Sequence, residues 1–164
     1  MPSPDSPRAP AAVLHWRGQA DTAAFAARLA ARAELRNAFI ALQGDLGAGK
    51  TTFARHLLRA LGVAGRVKSP TYAVLEPHLA PDGLAIAHLD FYRFHDPREW
   101  EDAGLRDVFA APGLKLAEWP ERAAALLPAP DLLLRIEALE GDARAVTLAA
   151  PTALGQRLLA GVLA

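Results

Sequence analysis

No cysteine occurs among the 164 residues, which excludes disulfides, thiolate-bound metals and cysteine nucleophiles and suits a reducing compartment. The five histidines fall without metal-ligand spacing, so a zinc site is not expected. No apolar run approaches the ~20 residues of a membrane-spanning helix. The opening stretch, MPSPDSPRAPAA, lacks the basic and apolar regions of a secretion signal. Nor is one sign of charge in excess. Eighteen basic residues balance 18 acidic ones, leaving no global positive field to hold a nucleic acid. These absences predict a cytoplasmic protein that engages neither membrane nor DNA, and in which any RNA is gripped by something else. What is present is apolar: a 52% hydrophobic chain of this length suits one sizeable core and is too short for two domains of usual size. Residues 1–11, with four prolines, are expected to form a flexible tail, and residues 12–164 one domain.

The most informative segment is residues 44–51, GDLGAGKT, which fits the phosphate-loop pattern G-x-x-x-x-G-K-[ST] at every specified position. The glycines let a loop wrap closely around phosphates with its amides inward, Lys50 reaches the β and γ oxygens, and the Thr51 hydroxyl is placed to ligate magnesium. Gly44, Asp45, Leu46, Gly47, Ala48, Gly49, Lys50, Thr51 and Thr52 are therefore the candidate nucleotide-binding residues. Flanking patterns agree. Residues 38–42, AFIAL, read as a strand covered on both faces, and Phe53, Leu57, Leu58 and Leu61 recur at helical spacing up to Gly62, a candidate C-terminal cap. The pattern predicts an α/β chain with the three-layer fold of phosphate-loop nucleoside triphosphatases: a mostly parallel central sheet, helices on both faces and a hairpin extension.

Elsewhere, a first helix is expected from Asp21 as N-cap, and Thr22 is a candidate base contact, though a capping hydroxyl is the simpler reading. A strand through Leu75, a turn at Pro81-Asp82-Gly83 and a second run over residues 84–90 predict a strand pair ending in Asp90. A helix is expected from Asp96-Pro97 to Gly104, then a short strand over residues 114–117 ending at Glu118, with Pro120 opening another helix. Residues 132–139 and 145–149 predict a terminal hairpin, with a last helix after Thr152. Phosphoryl transfer requires positioning and charge neutralisation, with an acid to orient metal or water. Asp90 and Glu118, each closing a predicted core strand, are the two candidates, and spacing does not divide their roles; solvated strand-end carboxylates are the competing reading. Thr71, in Ser69-Pro70-Thr71-Tyr72, is a candidate γ-phosphate sensor or a plain proline turn. Arg93 and Arg122 would add positive charge, Arg55, Arg59, Arg66 and Lys68 form a basic stretch, and His88, two before Asp90, is the one histidine that merits a test.

The order GDLGAGKTT, SPTY, HLDFYRF, a PREWEDAG helix and then EWPER resembles the TsaE family of small bacterial ATPases, over about residues 22–128. That resemblance implies ATP and Mg2+ as cofactors, TsaD and TsaB proteins as partners, and a part in threonylcarbamoylation of adenosine 37 of tRNA, with the tRNA met through the complex. It puts Lys50 and its neighbouring amides on the phosphates and Thr51 with Glu118 on magnesium. Asp90 becomes a catalytic or metal-linked acid, Thr71 part of a switch-like segment, and Trp119, otherwise simply a large residue that packs nearby, a residue affecting turnover. Two rivals share the loop: a small kinase, which would need a lid and an acceptor pocket, and an assembly factor in which bound nucleotide matters but cleavage does not.

Overall fold

A computed structural model describes residues 11–65 and 74–164. The proline-rich tail lies outside these except for Ala11, whose amide donates to Leu148 O at 2.7 Å. Arg66, Lys68 and the whole Ser69-Pro70-Thr71-Tyr72 segment also fall outside the described residues. The elements run β1 (Ala12–Trp16), α1 (Gln19–Ala30), β2 (Phe39–Gln43), α2 (Lys50–Ala60), β3 (Leu75–Leu79), β4 (Ala85–Asp90), α3 (Pro97–Asp102), α4 (Leu105–Ala110), β5 (Leu114–Glu118), β6 (Leu132–Ala138), β7 (Arg144–Ala149) and α5 (Ala153–Leu163). Short 3-10 turns occupy Ala33–Asn37 and Pro120–Ala123.

The seven strands form one sheet in the order β1-β7-β6-β2-β5-β4-β3. Pairing is parallel from β6 through β2 and β5 to β4, and antiparallel at both edges, so the expectation of a mostly parallel sheet holds only for its centre. The reason is loop length. The β3–β4 and β6–β7 connections are tight turns, closed by Ala80 N to Leu84 O at 2.9 Å and Leu139 N to Ala143 O at 2.9 Å, and such turns join only antiparallel neighbours. β1, which the sequence reading left without an element, adds an antiparallel edge against β7.

Side chains alternate across this sheet and build two cores. On one face Ile40, Leu42, Leu116, Leu134 and Val146 meet Phe25 and Leu29 of α1, Phe53 and Leu57 of α2, and Leu158 and Val162 of α5. On the other, Phe39, Ala41, Leu89 and Phe91 meet Leu105, Phe109 and Trp100 of α3 and α4. Every residue of β5 is buried, the charged Lys115 and Glu118 included, as suits a central strand covered on both faces. Helix boundaries depart from expectation in three places. α1 begins at Gln19 behind Gly18, and Asp21 sits in its first turn, where it pairs with Arg17 at 3.0 Å instead of capping. Asp96 does cap α3, accepting from Arg98 N, but Gly104, at φ 65°, is followed by a second short helix, α4. Pro120 opens only a 3-10 turn.

Candidate nucleotide site

The carboxyl ends of β2, β5 and β4 point the same way, so Gly44, Glu118 and Asp90 arrive at one rim of the sheet, where open α/β sheets bind ligands. Residues 44–49 link β2 to α2 there. Gly44 has φ 153°, and a Cβ added to it would lie 2.5 Å from Ile136 O, so the backbone of β6 leaves room for glycine alone. Gly49, at φ 113°, swings the chain into α2. The loop is held from outside by Arg144, whose Nε donates to Ala48 O at 2.7 Å while Nη1 donates to Ala143 O at 2.8 Å and Gly141 O at 3.2 Å. Sequence reasoning missed Arg144, because only the β6–β7 register carries this first residue of β7 to the phosphate loop.

Lys50 is 5% exposed. Its ammonium donates to Gly44 O and, at 2.9 Å, to Asp45 O, and lies 4.1 Å from the centroid of the Trp119 ring. Burial pushes its pKa below the ordinary lysine value, opposed by Glu118, Glu121, Asp90 and Asp45. Trp119 itself has φ 56° and ψ 47°, the one described non-glycine residue with positive φ. Tyr92 packs on its ring with centroids 4.9 Å apart.

Glu118 is 2% exposed and engaged on both oxygens. Oε1 accepts from the Thr51 hydroxyl at 2.7 Å, and Oε2 lies 2.7 Å from Nε2 of His88, which is fully buried. Asp90 is the register partner of Glu118 across β4 and β5, and its Oδ1 accepts from Tyr92 N at 2.9 Å. Lys50, Thr51, Thr52, Asp90, Glu118 and Trp119 all line one cavity of about 350 Å3, together with Gly47, Gly49, Leu46 and Arg93. Its oxygen donors, a hydroxyl and two carboxylates, suit magnesium rather than a soft metal. Among the described residues no group of three or more His, Cys, Asp or Glu side chains could cage an ion alone. Magnesium bound through one or two carboxylates plus phosphate oxygens needs no such cage.

The remaining candidates lie nearby but apart. Thr22 is buried and lines a smaller cavity of about 40 Å3 with Thr52, Trp16 and Arg144, on the α1 side of the loop. Leu46 projects from the loop tip, 69% exposed. Arg122 stacks toward the rings of Tyr92 and Trp119 instead of the loop. A larger cavity, about 580 Å3, opens on the β6 side and shares Gly44, Asp45, Leu46, Ala48 and Trp119 with the site, but not Lys50 or Thr51. Thr71 is outside the described residues.

Comparison with known proteins places the chain among relatives. A family model described as "Threonylcarbamoyl adenosine biosynthesis protein TsaE" matches residues 16–146. Proteins named tRNA threonylcarbamoyladenosine biosynthesis protein TsaE are similar to the chain: that of Haemophilus influenzae is 44% identical over 72% of this chain and 73% of its own length. That of Bacillus subtilis is 37% identical over 88% of each. That of Streptomyces coelicolor is 40% identical over 72% of this chain and 81% of its own length. The crystal structure of YdiB from Bacillus subtilis superposes with a TM-score of 0.75 and 29% identity over 93% of this chain and 95% of that one. With the phosphate loop, the two strand-end acids and these relatives in one frame, the chain belongs to the TsaE family.

Proposed function

We propose that this chain is a magnesium-dependent ATPase subunit that supports threonylcarbamoylation of tRNA adenosine 37, working in the cytoplasm with TsaD and TsaB proteins and meeting tRNA through them. The observation that carries the reading is the phosphate loop itself, with Lys50 held inside it on Gly44 O and Asp45 O and the adjoining Thr51 hydroxyl bonded to the buried Glu118. Loop amides and the positive end of α2 receive the phosphates, and Lys50 turns from the loop carbonyls to the β and γ oxygens. Magnesium, when bound, supplies neutralisation of the phosphate charge that develops during transfer. Thr51 and Glu118 hold its place, with Asp90 facing the same cavity to orient water or a metal-bound water. Thr22 and Thr52, which line a small cavity beside the loop, are the candidates to meet the base or ribose. A net charge of zero supports the indirect role for tRNA, because the chain has no field of its own to collect polyanions.

The test is hydrolysis with and without the partner proteins, on wild type and Lys50→Ala. The expected outcome is slow turnover alone, a rise on adding partners, and loss of ATP affinity of roughly thirtyfold in Lys50→Ala, from about 2 kcal/mol of charge-assisted hydrogen bonding. Fast turnover indifferent to partners would overturn the coupled role. Unchanged affinity in Lys50→Ala would overturn the phosphate assignment.

A further inference from the structure

We propose that His88 is the positioning residue for the Glu118 carboxylate, fixing the orientation in which that acid meets the metal side of the site. The proposal rests on the magnesium-dependent reading above and deepens it. The two carboxylate oxygens have different partners: Oε1 accepts from the Thr51 hydroxyl and Oε2 is met by the His88 ring, each at 2.7 Å. An ionised carboxylate only accepts, so against it the ring serves as donor in its Nε2–H tautomer. With the side chains of His88 and Glu118 at 0% and 3% exposure, no bulk water stands ready to replace a lost donor.

His88 also stands where an apolar side chain would be the default. Ile86, two residues earlier on β4 and on the same face, is core. The ring is costly there, since its Nδ1 is buried without a hydrogen-bond partner. A filler side chain at this position would carry no such penalty. The bond to Glu118 is what the imidazole provides that leucine or isoleucine does not. Thr51 is itself a candidate metal ligand, so its hydroxyl answers to two masters, whereas the Nε2 donor answers only to Glu118. His88 therefore holds the carboxylate plane still while Thr51 engages the cation.

The experiment titrates Mg2+ into the full chain with a fluorescent ATP analogue, and measures Mg-free nucleotide affinity and melting alongside. His88→Leu and His88→Asn, which lack a donor of the right reach, are expected to raise the Mg2+ concentration for half-saturation by about 10- to 100-fold, the usual effect of removing an outer-shell partner. Mg-free affinity should stay within about twofold, and His88→Gln, whose amide nitrogen can take the place of Nε2, should restore the Mg2+ response to within about threefold. In a Glu118→Gln background the same His88 changes should add little, because coupled residues do not contribute independently. Equal Mg2+ responses in wild type, His88→Leu and His88→Asn would overturn the proposal, as would additive losses in the Glu118→Gln background or no recovery with Gln. If His88→Leu does not fold, the comparison of Asn with Gln, one methylene apart, decides. A wild type whose nucleotide binding ignores Mg2+ would instead sink the functional reading itself.

Discussion

Trp119 occupies a left-handed backbone conformation that costs a residue with a side chain about 1–2 kcal/mol, and it does so directly over the loop lysine. Strain held at a site of this kind is offset elsewhere, here by the Lys50 contact at 4.1 Å and the Tyr92 ring at 4.9 Å, each worth about 0.5–1 kcal/mol. The gains and the cost nearly cancel. Replacing Trp119 with Gly should therefore leave urea-denaturation stability within about 1 kcal/mol of wild type while lowering ATP turnover, since Lys50 loses the ring that covers it. A stability loss above about 3 kcal/mol would show Trp119 to be a core anchor instead. At this scale much of the site was legible: the loop motif gave Lys50 and Thr51, and strand-end position gave Asp90 and Glu118. The pairing of His88 with Glu118 and the grip of Arg144 on Ala48 were not, because 30 residues separate the first pair and 96 the second, and only strand register closes those gaps.

Among the elements, α5 is fixed by a junction far from the loop. Thr152 caps it, accepting from Gly155 N at 3.0 Å, and its hydroxyl donates to Asp131 Oδ1 at 2.7 Å. The other oxygen of Asp131 accepts from Phe39 N at 2.7 Å, so one carboxylate ties the entry of β2, the entry of β6 and the start of α5. Thr152→Ala should cost about 1–2 kcal/mol by chemical denaturation, with Mg-ATP affinity unchanged. A comparable loss of affinity would mean that the two ends of the sheet are coupled. Helices and strands with strong periodicity were readable in the sequence, α2 and α5 above all, as were the two hairpins from their glycine-containing turns. The misreadings cluster at short elements. β1 has five residues and alternating burial, with Val13 68% exposed, too brief a pattern to stand out without its partner β7. Gly104 reads as a stop, yet in the left-handed region it connects α3 to α4, and nothing in a single sequence separates those uses.

For the molecule as a whole, the α/β class followed from the order of apolar runs, and the sheet's parallel centre from the loop motif with a helix behind it. The antiparallel edges did not, because a hairpin in sequence says nothing about where in the sheet it docks. Two half-buried histidines outside both cores carry a consequence for stability. His56 and His78 each have a buried Nε2 without a hydrogen-bond partner. Burial pushes both pKa values below the ordinary 6.5, aided at His56 by Arg55 and Arg59 and at His78 by His88, with Glu76 opposing. The unfolded chain accepts these protons as pH falls through 6.5 while the folded chain resists, so unfolding takes up protons and stability must decline on the acid side. Above that pH both states are neutral and the contribution is level. The acids with depressed values, such as Asp96 beside Arg98 and Asp82 beside Arg36, titrate below the ordinary 3.8 and do not enter this window. The urea midpoint should accordingly fall between pH 7.5 and 5.5, settings about one unit either side of the histidine value, and the fall should shrink in a His56→Gln/His78→Gln double variant whatever its absolute stability. An identical slope in the variant would mean that both rings protonate freely in the folded state, and that their burial is not felt by the charge.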